Sequence, residues 1–380
     1  MNRFNVACAA ITMALCAAAA SAQQPNPPAS SARPGARLAQ VATFQHQVTG
    51  VSVAGDGRIF VNFPRWTEDV PVSVAEVMRD GSIRPYPNAE WNAWRNVRKN
   101  EVSPGDHWVC VQSVVADGRG NLWVIDPAAP ATAAIVPGGP KLVRIDLASN
   151  AVAQVIPFDT TVAPNGSYLN DVRFSPDGRH AYLTDSGGQG ALVVVDLQGG
   201  TARRLLAGHP SVQPERDVVM QTDGRPLRRP DGRGVEFASD GIALSPDGQH
   251  LYWKAVTGRT LYRIATDALE NAGMSPTELA GRVERVGTTV VSDGLWMDGQ
   301  GRLFFTSVED NSVQVREGDR LTTVVRDARL RWPDTFSQGP DGTLYVTSSR
   351  IQDMSWFNPR NGPRLTTQLW RIDGTGAPRP

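Results

Sequence analysis

Alternating hydrophobic and polar positions recur in six similar segments along the chain. Each has a short alternating run, a turn rich in Asp and Gly, and a second run heavy in aromatic and branched residues. This pattern predicts a β-hairpin, because strand side chains alternate between two faces and Asp-Gly pairs suit tight turns. The six segments read GVSVAGDGRIFVNF, SVVADGRGNLWVID, DVRFSPDGRHAYLTD, DGIALSPDGQHLYWKA, DGLWMDGQGRLFFTS and DTFSQGPDGTLYVTS.

A third alternating run usually follows each hairpin, and a fourth follows in most units. Six units of four antiparallel strands predict an all-β fold, a six-bladed β-propeller. The sixth unit ends after its third strand, whereas RLAQVATF at 37–44 precedes the first unit. We therefore expect this N-terminal strand to complete the last blade and close the ring. An open six-sheet solenoid is the alternative, and it would leave two sheet edges unpaired.

The N-terminal residues differ in composition from the repeats. Arg3 precedes an apolar run that ends in the small residues Ala20-Ser21-Ala22, the pattern of a secretory signal peptide. We expect residues 1–22 to be removed and the product to be secreted or periplasmic. Residues 23–36 are rich in Pro, Ser and Ala and predict a linker, which leaves 37–380 for the propeller.

Composition narrows the range of partners. The chain carries 38 Lys+Arg and 38 Asp+Glu, so its balanced charge argues against nucleic acid or an anionic membrane as the main partner. We expect a monomer that takes a small-molecule ligand and no organic cofactor. Insertions at 88–108, 209–238 and 267–281 interrupt the repeats, and the last predicts one short helix.

Alignment of the six hairpins places one polar residue just ahead of each innermost strand. Innermost strands line the central channel of a propeller, so these residues should form a ring at one mouth, with the Asp-Gly turns at the other. We call this set the axial ring; it comprises Thr49, Gln112, Asn170, Asp240, Asp293 and Asp334.

The axial ring predicts a ligand or metal site. Converging carboxylate and amide oxygens are the donors that Ca²⁺ or another divalent cation prefers, and repulsion between carboxylates favours a bound cation or a raised pKa. The alternative is structural, since Asp before Gly often bonds nearby backbone N–H groups. Arg65, Trp66 and Arg350 fall in loops on the same face and could grip a carboxylate or stack on a ring; surface exposure without function is the alternative.

Several stretches resemble the major royal jelly protein and yellow family, in particular its bacterial secreted members. They are TGVSVAGDGRIFVNFPRW, PYPNAEWNAW, SVVADGRGNLWVID, SDGIALSPDGQHLYW and RWPDTFSQGPDGTLYVTSSRIQDM. The resemblance implies a secreted six-bladed propeller. In insects it covers pigment-pathway proteins, amine-binding salivary proteins and nutritive jelly proteins, so it specifies the fold better than the chemistry.

A wider resemblance is to the senescence marker protein and gluconolactonase group of propellers. LNDVRFSPDGRHAYLTDSG and SDGIALSPDG are similar to two strands of that group. The resemblance implies metal ligation by Asn170 and Asp240, with Asp240 as the general base. That group has a Glu at the start of the first blade, where this chain has Thr49, so one carboxylate ligand is missing unless Asp293 or Asp334 replaces it.

Three functions follow as hypotheses. The first is binding of a small polar or aromatic molecule at the channel mouth, with weak dopachrome-type isomerase activity; its ligand contacts would be Thr49, Arg65, Trp66, Gln112, Asp293, Asp334 and Arg350. The second is metal-dependent lactone hydrolysis through Asn170 and Asp240. The third is a protein-interaction scaffold.

Overall fold

The computed structural model describes residues 36–132 and 134–375. The predicted signal peptide and all but the last residue of the predicted linker lie outside these residues. The alternating runs form strands, because their apolar side chains pack between neighbouring sheets. In chain order, the strands up to the third blade are β1 (Arg37–Phe44), β2 (Val51–Val53), β3 (Ile59–Asn62), β4 (Val74–Val77), β5 (Ile83–Pro85), β6 (Ser113–Ala116), β7 (Asn121–Asp126), β8 (Lys141–Asp146), β9 (Ala151–Pro157), β10 (Leu169–Phe174), β11 (His180–Asp185), β12 (Ala191–Asp196) and β13 (Thr201–Leu205).

The second half of the chain repeats the arrangement after a small hairpin, β14 (Gln221–Thr222) and β15 (Arg225–Pro226). The remaining strands are β16 (Ser239–Leu244), β17 (His250–Ala255), β18 (Thr260–Ala265), β19 (Glu284–Thr288), β20 (Ser292–Met297), β21 (Leu303–Ser307), β22 (Ser312–Glu317), β23 (Arg320–Arg326), β24 (Pro333–Gln338), β25 (Leu344–Ser348) and β26 (Thr367–Asp373). Six antiparallel four-stranded sheets result, which confirms the six-bladed propeller.

The last blade has the strand order β1-β26-β25-β24. β1 pairs antiparallel with β26 from Arg37 opposite Asp373 to Phe44 opposite Thr367. The N-terminal strand therefore closes the ring, as the sequence predicts.

Helices are short and lie in the connections. The insertion 267–281 holds two helices rather than the expected one, α1 (Thr266–Glu270) and α2 (Pro276–Ala280). The second begins anew because Ser275 and Glu278 form a capping box around its first turn. Single 3₁₀ turns occur at Asn96–Arg98, Pro130–Thr132, Pro210–Val212 and Ile351–Asp353. Among the described residues, no helix is long and apolar enough to span a membrane.

Each pair of adjacent blades buries its own apolar cluster. Leu122 and Val124 of the second blade pack with Phe60 and Val74 of the first, and corresponding clusters fill the other interfaces. The last of them joins Phe44 of β1 to the first blade. Burial on both faces of every sheet holds the innermost strands β2, β6, β10, β16, β20 and β24 around one axis.

Candidate functional site

The structure brings the six residues of the axial ring to one end of the channel, and each is at most 8% exposed. Thr49 and Gln112 lie just ahead of their strands, as expected. Asn170, Asp240, Asp293 and Asp334 instead occupy the second position of their strands. The expected position is therefore wrong by two residues for these four side chains.

A shared backbone irregularity explains the shift. In β10, β16, β20 and β24 the pairing register slips between the first and fourth residues, so the axial-ring residue lies in a β-bulge. A bulge bends its strand and redirects a side chain. In four successive blades, the same type of β-bulge thus turns an Asn or Asp side chain towards the axis.

Hydrogen bonds connect neighbouring members of the axial ring. Gln112 Nε2 donates to Asn170 Oδ1 at 3.3 Å, and Asn170 Nδ2 donates to Asp240 Oδ2 at 2.5 Å. The Asp240 and Asp293 carboxyls bond each other. Asp334 accepts a bond of 3.0 Å from the hydroxyl of Thr335. Gln112, Asn170 and Asp240 are therefore linked in a chain of hydrogen bonds along one arc of the axis.

Burial makes the three aspartates of the axial ring unusual acids. Desolvation raises the pKa of Asp240 and of Asp334 well above the ordinary range, and the charge of Asp293 adds to both shifts. Desolvation also raises the pKa of Asp293 to about 6, although its hydrogen bonds from Trp332 and Asp240 oppose the shift. Carboxyls this close cannot all ionise in a dry site, so protons are shared among them near neutral pH.

Lys254 is a buried cation near this end of the channel. Its Nζ donates to the carbonyls of Ala255 and Gly258, each at 2.9 Å. Burial lowers the pKa of Lys254 to about 7, against the opposing charges of Glu215, Asp293 and Asp240. Lys254 is therefore about half protonated near pH 7, and its positive charge does not balance the negative charge of the three aspartates.

An apolar cluster lies over the axial ring. It combines the insertion 209–238, the loops that follow β17 and β21, and the segment after β25. We call it the cap cluster; its buried members are Met220, Leu227, Val235, Val256, Val291, Val308, Trp332, Ile351, Met354 and Leu365. Trp332 joins it to the ring, since its indole Nε1 donates to Asp293 Oδ2 at 2.6 Å.

Trp66 packs at the edge of the cap cluster. Its ring centroid lies 5.8 Å from that of Trp356 and 6.3 Å from that of Tyr168. Its Nε1 donates to the Tyr168 hydroxyl at 2.5 Å, and that hydroxyl donates to Gln112 Oε1 at 3.0 Å. Trp66 is therefore half-buried and connected to the axial ring, in agreement with the expectation that placed it beside the mouth.

The sequence analysis expected Arg65 to face the channel mouth, but the structure buries it elsewhere. Its side chain is fully buried, and the guanidinium donates to the carbonyls of Val70, Trp108 and Val109. Desolvation lowers the pKa of Arg65 to about 10, while Asp69 at 3.4 Å opposes the shift. These contacts tie the first blade to the insertion 88–108, so Arg65 holds the loop rather than facing the channel.

Arg350 also has partners within the protein. Its Nε donates to Asp353 Oδ2 at 2.8 Å and its Nη1 to the Thr366 carbonyl at 3.1 Å. The Asp353 carboxylate also accepts a hydrogen bond from Arg331. Arg331 pairs in turn with Asp223 of the insertion 209–238. Arg350 thus belongs to an ion-pair network that fastens the cap cluster, and it is not free to grip a ligand.

Three functional candidates escaped the sequence analysis. Tyr168, Lys254 and Trp332 each lie within one or two residues of an innermost or second strand end. Trp332 could have been found, because it stands two residues before Asp334. Lys254 could also have been recognised from the sequence, because a lysine near the end of a buried strand needs a partner for its charge.

The donor set does not fit a protein-built cation cage. Among the residues the structure describes, no group of three or more His, Cys, Asp or Glu side chains is placed to hold a metal ion. Asn170 and Asp240 are in contact as expected, but each donates to or accepts from another ring member. Ca²⁺ takes six to eight oxygens, so Asn170 and Asp240 alone would not complete its coordination, and metal ligation by this pair stays a prediction.

The family model for the major royal jelly protein matches residues 109–360, about two thirds of the chain. The chain belongs to the major royal jelly protein family. The match confirms the resemblance that the quoted stretches carry. No curated protein matches it closely enough to assign an activity.

Solved structures share the fold. A putative gluconolactonase is 17% identical with a TM-score of 0.55, covering 92% of this royal jelly family chain and 96% of its own. A gluconolactonase from Xanthomonas campestris is 14% identical with a TM-score of 0.53, covering 93% and 95%. A luciferin-regenerating enzyme is 12% identical with a TM-score of 0.53, covering 91% and 97%. Identities this low establish the propeller architecture alone.

Proposed function

We propose that this protein binds a small molecule with a protonated amine on an aromatic body at the axial-ring end of the channel. The observation that carries the proposal is the excess of buried carboxyls there. Asp240, Asp293 and Asp334 converge, and the nearby cation Lys254 has its pKa lowered to about 7. A cationic ligand supplies the charge that lets these carboxyls ionise.

The cap cluster supports an aromatic body on that ligand. Trp66 and Trp332 bracket the axial ring, and both already direct their indole N–H groups to oxygens. Their ring faces are suited to flat apolar groups and to cations.

We further propose export of the protein, because its N-terminal 22 residues have the pattern of a signal peptide.

A weak isomerase activity would use the same groups. Asp240 and Asp293 share a hydrogen bond, and the pKa of Asp293 lies near 6. A general acid or base works best with a pKa near the operating pH. This pair could take a proton from one carbon of a bound substrate and return it to another.

The experiment is calorimetry with tryptamine and its acidic counterpart indole-3-propionate at pH 7.5. Tryptamine should bind and indole-3-propionate should not, because the carboxyls repel an anion. Asp293→Asn should weaken tryptamine binding about tenfold, the usual effect of losing one charge-assisted contact. Asp319→Asn is the matched control, since Asp319 is exposed on a turn of the fifth blade.

Equal binding of both probes, or an unchanged affinity in Asp293→Asn, would overturn the proposal.

Lactone hydrolysis is the second candidate, favoured by the contact between Asn170 and Asp240. Hydrolysis of glucono-1,5-lactone that Asp240→Asn removes, together with no tryptamine binding, would decide for that candidate.

A further inference from the structure

The channel has an open end on the face of the Asp-Gly turns, opposite the axial ring. A cavity of about 630 Å³ lies there, within the range of small-molecule sites. All six innermost strands contribute to its wall, so it is coaxial with the axial ring and at the opposite end. The sequence analysis placed the Asp-Gly turns at this end and predicted no site there.

Arg173 of β10 is the buried charged group in the wall of this cavity; the other charged residues of the wall are Asp117, which is half-buried, and Arg119, which is exposed. The Arg173 side chain is buried, and its Nη2 reaches across to donate to the carbonyl of Leu295 in the fifth blade at 2.8 Å. The guanidinium lies 5.8 Å from the ring centroid of Trp296. Its nearest carboxylate, Asp171, is 3.7 Å away, and burial raises the pKa of that carboxyl. The positive charge is therefore only partly offset.

Two serine hydroxyls of the wall can donate hydrogen bonds to a ligand. The Ser52 hydroxyl accepts the backbone N–H of Ala116, and the Ser337 hydroxyl accepts that of Val53. Each hydroxyl has one hydrogen, so each can still donate it to a ligand. The indole Nε1 of Trp296 has no acceptor among the described residues.

Part of the wall is apolar. Phe174, Leu244, Met297 and Phe336 line the cavity between the polar groups. A cation, several hydroxyl donors and aromatic faces together match a flat molecule with one anionic end. The two ends of the channel thus differ in charge, because three aspartates gather at one, whereas Arg173 and Arg119 line the other beside Asp117, whose carboxylate accepts hydrogen bonds from Asn121 and Trp123.

We propose that this cavity binds a small carboxylate with a flat apolar body, whose carboxylate pairs with Arg173 and whose body lies against the aromatic wall. The site is independent of the amine site, because different residues form it. Loss of one activity would leave the other in place.

The test uses the full chain and three probes of one shape: benzoate, neutral benzamide and cationic benzylamine. Calorimetry should show benzoate binding at least about tenfold more tightly than benzamide, because only the anion pairs with the guanidinium. Arg173→Gln should abolish this preference. Arg179→Gln is the matched control, since Arg179 lies on the same face, is exposed and pairs only with Asp177 among the described residues.

A second variant covers the case in which Arg173→Gln does not fold. Leu244→Trp enlarges a half-buried side chain of the wall and should reduce benzoate binding by taking up cavity volume. Circular dichroism checks folding in each variant. Absence of benzoate binding at millimolar concentration, equal binding of benzamide, or unchanged affinity in a folded Arg173→Gln or Leu244→Trp protein would overturn the proposal.

Discussion

Buried charges in this propeller fall into two kinds at the scale of single residues. Lys141 is fully buried, but it pairs with Asp126 at 3.0 Å and also donates to the carbonyls of Pro104 and Gly139. Lys254 is equally buried and donates to two carbonyls, with no carboxylate in direct contact among the described residues. A buried ammonium without a direct counter-ion favours its neutral form, so Lys254 is a destabilising residue at neutral pH.

Lys254 gives a pH-dependent prediction. Its folded pKa is about 7 and its unfolded pKa is near 10.5. Between these values the unfolded chain binds the extra proton, so the stability contributed by this group rises with pH and is lost as pH falls towards 7. Relative to Lys254→Met, the wild type should gain about 3 kcal/mol in unfolding free energy from pH 7 to pH 9.5.

Urea unfolding at the two pH values measures this difference. Lys99→Met serves as the control, because Lys99 is exposed and its replacement should leave the pH dependence unchanged. A constant difference between wild type and Lys254→Met across this range would show that Lys254 keeps an ordinary pKa.

Glycines set the spacing of neighbouring blades at the scale of elements. Gly241 follows Asp240 in the bulge of β16, and Gly294 follows Asp293 in the bulge of β20. A Cβ on Gly241 would overlap the carbonyl oxygen of Asp293, and one on Gly294 would overlap that of Asp334. The repeated Ser-Asp-Gly sequence therefore combines an inward carboxyl with a strand that the next blade approaches closely.

Gly294→Ala should accordingly be destabilising. The added methyl group meets backbone, which cannot move aside as a flexible side chain can, so we expect a loss of about 1–3 kcal/mol. Gly55→Ala is the matched control, because a Cβ at Gly55 meets no heavy atom within 4 Å. Thermal unfolding of both variants gives the comparison, and equal melting temperatures would contradict the close approach.

The same elements show what the sequence can predict. The hairpin pattern specified the six blades, the ring closure and the identity of the axial-ring residues, because these depend on local alternation and on repetition. It did not specify the bulges, which shift Asp240 and its counterparts by two positions. The burial of Arg65 escaped prediction because its carbonyl partners Trp108 and Val109 lie more than 40 residues away, at the end of the insertion 88–108 and directly after it. The cap cluster escaped for the same reason, since its apolar residues have no periodic spacing.

At the scale of the whole molecule, closure joins the two ends of the described chain. Beyond the pairing of β1 with β26, the first and last blades also meet: Thr347 Oγ1 of β25 donates to the carbonyl of Thr49, just ahead of β2, at 2.5 Å. Phe44 adds an edge-to-face contact with Phe63 of the first blade, with centroids 5.3 Å apart. The axial ring therefore depends on closure, because Thr49 and Asp334 come from the two blades that β1 links.

Truncation tests this dependence directly. A chain that starts at Ala36 keeps every contact described for β1 and should melt at the temperature of the full chain. A chain that starts at Gln45 loses Ala42 and Phe44 from the core and exposes the edge of β26. Removal of the Phe44 side chain alone costs about 3–5 kcal/mol by analogy with other buried phenylalanines. We expect a much lower melting temperature and association through the open edge.

Complementation with a peptide distinguishes the effect of ring closure from the effect of merely removing residues. A synthetic peptide of residues 36–45 should restore the melting temperature of the shorter chain, because an extended peptide can add to an exposed sheet edge. A peptide with Phe44→Ala should restore it less, since the edge hydrogen bonds remain while the packing against Phe63 is lost. Equal melting temperatures for the two truncated chains would mean that five complete blades and a three-stranded sixth hold the axial ring together without β1.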